Sequence, residues 1–205
     1  MKHSIMAVAI IALIIASSQS QETKRSKEKS KDMKPERFNP PPLSDDWSKW
    51  LLGEWEGAGQ SDTGRGRGMV RVEMGLNGQF RIHREEAVIT EMTPEQKQYL
   101  RKNMNASEEE IERFVRLPYQ AIEIYTIDQR TGEVVGYLFD SLRCMAQGRG
   151  KIEGNRETVA WQWSNGHKST RITQKAGPDR VVVIQKTPMR DGSVMEEKGE
   201  MTRKK

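Results

Sequence analysis

From residue 43 onward, apolar and polar residues alternate in short runs, and turn residues punctuate those runs at regular intervals. Val70, Val72 and Met74 fall on one side of such a run, with Arg71 and Glu73 on the other. A period of two is the spacing of an extended strand whose two faces meet different environments. The alternation predicts strands over 52–59, 69–76, 80–90, 119–128, 133–142, 143–153, 158–164, 168–175, 180–187 and 193–203. Asn77-Gly78, Gly154-Asn155, Asn165-Gly166 and Asp191-Gly192 lie between runs and supply the residues that tight reversals need. Asn77-Gly78 predicts a two-residue hairpin. Most connections are too short for the crossovers of parallel strands, so doubly wound α/β folds are excluded. The pattern predicts an all-β fold, a single antiparallel barrel of about ten strands.

Helical signals interrupt the period twice. Ser44-Asp45-Asp46 caps a short turn that carries Trp47, Trp50 and Leu51. Between the third and fourth strands, 93–118 reads as a two-helix insertion. Thr93-Pro94-Glu95-Gln96 opens its first helix, and Ser107 with Glu110 forms a capping box before the second. The insertion fits a lid over one barrel mouth and an element packed on the outside equally well.

The run Leu51-Leu52-Gly53-Glu54-Trp55-Glu56-Gly57-Ala58-Gly59 resembles the start of lipocalin-like (calycin) barrels. In its longer form, Leu-Gly-x-Trp-x-Gly-x-Gly, it is similar to nitrobindin and to a related bacterial barrel family of unknown function. Tyr137-Leu138-Phe139-Asp140-Ser141 resembles a mid-chain pattern of that second family. The likeness spans roughly residues 44–204 and implies a lipocalin-like barrel. Physical chemistry supports a structural role for the motif independently. Trp55 is suited to plug one end of a barrel, and Gly53, Gly57 and Gly59 permit the sharp coiling that closure requires. Nitrobindin-like proteins bind haem through a histidine near the C-terminus. Here the final strand holds Met195 and Met201 and no histidine, so the resemblance does not carry haem over and no cofactor is expected.

Composition narrows the field further. The chain has 205 residues, a net charge of +5 and one cysteine, Cys144, which excludes an internal disulfide and a multi-thiolate zinc site. Lys2 and His3 precede an apolar run at 5–15 and small residues at 16–20, the form of a secretory signal peptide over 1–20. The expectation is an exported protein, periplasmic or extracellular, that is not transmembrane after cleavage. Residues 21–42 read as a disordered, basic, Pro-rich linker, with the barrel domain over 43–205. Residues 1–38 hold 8 of the 34 basic and 4 of the 29 acidic residues, which leaves the remainder nearly neutral. A basic tail can touch an anionic surface weakly; nucleic acid is not an expected partner. Gly64-Arg65-Gly66-Arg67-Gly68 reads as a flexible hairpin loop. Asn105-Ala106-Ser107 matches the N-glycosylation sequon and carries no further weight here.

No catalytic constellation emerges, and no catalytic or metal-ligating residue is expected. His83 lies in an Arg81/His83/Glu85 alternation that reads as an outward polar face, and His167 lies in a turn. Cys144, in a strand, reads as a small buried hydrophobe. Candidate ligand-binding residues are Tyr125, Tyr137, Asp140, Arg143, Trp161 and Trp163. Alternation leaves open which strand faces line the barrel. If Glu123, Tyr125, Asp140 and Arg143 point inward, they form a polar cluster able to orient a ligand. The expected role is therefore binding of a small, partly apolar or amphipathic molecule. A hydrolase or isomerase using the same cavity and a non-catalytic envelope interaction protein are the alternatives.

Overall fold

The computed structural model describes residues 41–205, except 104, 190 and 191. The segments read from the sequence as signal peptide and, up to residue 40, as linker lie outside the described residues. A short helix α1 (Asp46–Leu51) precedes β1 (Gly53–Ser61), β2 (Gly64–Gly75) and β3 (Phe80–Met92). Helices α2 (Pro94–Asn103) and α3 (Glu108–Arg116) follow. Then come β4 (Tyr119–Ile127), β5 (Val134–Asp140), β6 (Met145–Glu153), β7 (Arg156–Trp163), β8 (Lys168–Gly177), β9 (Arg180–Pro188) and β10 (Val194–Arg203). Each strand pairs antiparallel with its sequence neighbours, and β1 pairs with β10, so the ten strands close into a barrel. Closure leaves no sheet edge to pair with another chain.

The first closing seam explains part of the glycine motif. Trp55 pairs with Arg203 and with Val70, and Gly57 pairs with Met201 and Gly68. A Cβ added at Gly57 would lie 2.0 Å from the Glu200 carbonyl oxygen. Backbone approach there leaves no room for a side chain. Gly136 and Gly148 serve a different purpose, since Cβ atoms there would stand 2.9 Å from the Trp161 ring. Their bareness lets that indole lie flat across β5 and β6.

One end of the barrel is plugged. Asp45 caps α1 by accepting from the Ser48 N–H at 2.7 Å. The helix places Trp47 and Leu51 against Trp55, Val72 and Val181 in one buried cluster. Trp55 donates its indole N–H to the Leu51 carbonyl at 2.8 Å, and the Arg203 guanidinium sits 4.2 Å over its ring. Arg203 also donates to the Trp50 and Leu52 carbonyls, satisfying acceptors at the helix C-terminus. The second cluster, Tyr125, Val134, Leu138, Ala146, Val159 and Trp161, fills the barrel opposite the seam.

Several local expectations are corrected. The Gly64–Gly68 run is strand, the first half of β2, and the β1–β2 reversal is only Asp62-Thr63. Glycine alternating with arginine follows the strand period, with glycines on the barrel interior and arginines on the outside. The Asn77-Gly78 reversal is a four-residue connection, because Gly75 pairs with Phe80 and both Leu76 and Asn77 adopt positive φ. Cys144 precedes β6 in a turn and is half-buried. The two-helix insertion is present: Thr93 caps α2, and the Ser107–Glu110 capping box opens α3. Both helices stand at the end of the barrel away from α1, with α3 packed on β3. No described helix is long and apolar enough to cross a membrane.

Candidate functional site

Alternation sends Arg81, His83 and Glu85 of β3 into the barrel. The register sets Arg81 beside Tyr125, His83 beside Glu123, and Glu85 beside Ala121 of β4. This reverses the outward reading of that face. An outward-facing row of charge would need no partner, whereas this row brings charge into a closed space and must be compensated there.

Compensation takes two forms. Near the plug, Arg81 is 1% exposed and donates to both Glu157 carboxylate oxygens, at 2.8 and 2.6 Å. Trp47 Nε1 donates to the same carboxylate at 3.1 Å, and the Arg81 guanidinium lies 4.8 Å over the Tyr125 ring. Higher up, Arg171 donates to Glu123, whose other oxygen accepts from the Tyr125 hydroxyl at 2.6 Å. Arg171 Nε also donates to the Gln185 side chain at 3.3 Å. Charge-assisted bonds of this kind offset desolvation only when both partners are held in place.

His83 stands between the two pairs, with its ring 4.8 Å from Tyr125 and its Nδ1 3.7 Å from Glu123. Burial, and then the Arg81 and Arg171 charges, hold it well below the usual histidine range, so the ring is neutral at pH 7. Its Nε2 is buried without a hydrogen-bond partner and is not open to a molecule in the lumen. Glu85 behaves oppositely: burial pushes its carboxyl up, Arg171 pulls it down and Glu123 pushes it up further.

These two shifts predict a pH signature. Unfolded chains protonate histidine near 6.5 while native His83 stays neutral, so stability falls as pH drops below that value. Glu85 contributes with the other sign. The unfolded carboxyl ionises above about 4.5 while the native one keeps its proton longer, so stability falls as pH rises through that window. Each slope is limited to about 1.4 kcal/mol per pH unit. Urea denaturation between pH 7 and pH 5 should show the acid-side loss flattened in His83→Gln and steepened in Glu85→Gln. Unchanged slopes in both variants would mean that neither group titrates differently in the folded chain.

Above the polar cluster lies a cavity of about 300 Å³. Its apolar wall comes from Val70, Ala87, Ile89, Trp163, Val183 and Met201. Gly57, Gly59, Gly66 and Gly68 form a side-chain-free wall on β1 and β2. His83, Glu85, Glu123, Tyr125 and Arg171 form its polar side. Among the described residues of α2 and α3, none lines the cavity.

The six sequence candidates divide. Tyr125 and Trp163 line the cavity, and Trp161 is buried beneath it against Tyr125 in an edge-on contact of 5.8 Å. Tyr137 is 45% exposed on the outer face, one residue out of phase with inward Gly136 and Leu138. Asp140 folds into the β5–β6 turn, where it accepts from the Leu142 and Cys144 N–H groups at 2.9 and 2.8 Å. Arg143 is exposed in that turn with φ +64°. Glu123 and Tyr125 point inward, and Asp140 and Arg143 do not join them. Glu85 and Arg171 also reach the cavity, and neither is among the sequence candidates. The strand period does mark Glu85, since it shares a face with Arg81 and His83. Polarity had pointed that face the wrong way. Among the described residues, no group of three His, Cys, Asp or Glu side chains is placed to hold a metal ion.

The closed ten-stranded antiparallel barrel is the architecture read from the sequence. No protein-family model and no curated protein matches the chain. Among solved structures, an S-type phycobiliprotein lyase from Guillardia theta is similar in fold. It is 9% identical with a TM-score of 0.51, over 78% of this chain and 92% of that one. A de novo designed fluorescence-activating β-barrel is 17% identical with a TM-score of 0.37, over 78% and 100%. A Nostoc punctiforme protein of unknown function from the DUF3598 family is 10% identical with a TM-score of 0.26, over 79% and 100%.

Proposed function

We propose that this barrel is an exported small-molecule-binding protein whose ligand occupies the cavity above the polar cluster. The carrying observation is the cavity itself: about 300 Å³, with apolar and glycine walls and polar groups gathered on one side. Spaces of this size and lining take small ligands, burying apolar surface while a few polar groups set orientation. The fold likeness to a phycobiliprotein lyase is compatible with a barrel that handles a small molecule. Catalysis by Asp140, Arg143 and Tyr125 together is disfavoured, since only Tyr125 reaches the lumen.

Uptake of a neutral apolar probe tests this reading. 4-Bromobenzyl alcohol should quench tryptophan emission saturably at one molecule per chain, because Trp163 lines the cavity. Ala87→Trp, which places an indole into the same space, should weaken that uptake at least tenfold. Non-saturable quenching, equal in wild type and variant, would end the cavity-binding reading.

A further inference from the structure

Among the described residues, Glu85 and Glu123 meet one guanidinium at the cavity. Arg81 and Glu157 cancel one another beside the plug, below the cavity. Around the cavity itself, the inward positions among the described residues set Glu85 and Glu123 against the Arg171 guanidinium. Arg65, Arg67, Glu91 and Lys198 border the mouth, but their side chains stand on the outer face and are exposed. Arg171 is already engaged by Glu123. His83 adds no positive charge, because burial keeps it neutral.

Glu85 is the group this leaves over. It is half-buried on the cavity wall, and among the described residues it makes no hydrogen bond or ion pair; its interactions with Arg171 and Glu123 are through-space. A carboxyl held in a confined space without a partner is costly, and a cation brought beside it removes that cost. An ammonium fits the surroundings better than a further acid would, since it donates up to three hydrogen bonds and accepts none. On the adjoining β2 and on β1, the glycine wall offers a flat surface against which an aromatic or aliphatic body can lie.

Resting on the cavity-binding reading, we infer that the ligand is a cationic amine. Its ammonium pairs with the Glu85 carboxylate, and its compact apolar body lies against the wall formed by Gly57, Gly59, Gly66 and Gly68.

Three probes of one shape separate this from simple apolar uptake: 2-naphthylmethylamine, 2-naphthalenemethanol and 2-naphthoate, compared by calorimetric titration at pH 7.5. The amine is expected to bind at least tenfold tighter than the alcohol, and the carboxylate most weakly. Glu85→Gln should bring the amine to the affinity of the alcohol while the alcohol itself is unchanged. Glu86→Gln, one residue along on the outer face, should leave all three as in wild type. If the alcohol binds and the amine gains nothing, or the carboxylate binds tightest, the cation assignment is overturned while the cavity reading stands. If Glu85→Gln weakens amine and alcohol equally, Glu85 holds the wall rather than the ligand and the assignment falls. If none of the three binds, both readings fall together.

Discussion

Arg81→Met is expected to destabilise the barrel by about 3–5 kcal/mol, the usual cost of leaving one partner of a buried ion pair uncompensated. Arg81 and Glu157 are 1% and 4% exposed at their side chains, so little water reaches the abandoned carboxylate. Their bidentate contact also anchors α1, because the same carboxylate accepts from Trp47 and the guanidinium reaches Ser48 at 3.4 Å. Whole domains of this kind are stable by only about 5–15 kcal/mol, so the single variant should unfold at much lower urea. Arg81→Met combined with Glu157→Leu should recover most of the loss, since an apolar pair of similar size needs no desolvation. It should still fall short of wild type by about 1–3 kcal/mol, because the Trp47 N–H would then be buried without an acceptor. If Arg81→Met alone costs less than about 1 kcal/mol, water reaches the pair and the plugged end is not closed.

Trp55→Ala should cost a similar amount, about 3–5 kcal/mol, as expected for deleting a large buried aromatic side chain. The ring is 2% exposed, donates to the Leu51 carbonyl and lies beneath Arg203, so helix, first strand and last strand meet on it. Trp55→Phe keeps most of the packing and loses the indole N–H, with an expected cost nearer 1 kcal/mol. Far-UV circular dichroism during urea denaturation measures both. The phenylalanine variant should retain probe uptake in the cavity, because the group it removes faces the helix. Equal losses for Ala and Phe would shift the importance of Trp55 from volume to its single hydrogen bond.

Much of the barrel is legible before any coordinates. The strand period, the turn residues and the three capping sequences mark ten strands and three helices, because each is a local property of consecutive residues. The errors are equally local in origin. Gly64–Gly68 looks like a loop because glycine is depleted from strands in general, yet here bare positions on the inner face leave the cavity its space. Asn77-Gly78 marks the reversal correctly, and only the register places four residues in it. The candidate site is less legible. Tyr137 stands out in the sequence as an aromatic residue in a resemblance motif, but a one-residue phase difference sets it outside the wall.

His83 and Glu85 show where the limit lies. Their alternation with Arg81 declares that all three share a face, and nothing local says which way that face turns. Polar character argues for water, and it prevails whenever no partner is at hand. Here the partners come from β4, β7 and β8, at separations of 48 to 110 residues from those they meet. Strand number, meander order and the plug around Trp55 follow from short-range pattern and side-chain volume in the sequence itself. The inward turn of the charged face, the pairing that makes it tolerable and the unpaired carboxyl on the cavity wall were decided only by closure of the barrel. Compensation of buried charge depends on distances between residues that the chain brings together only when it folds.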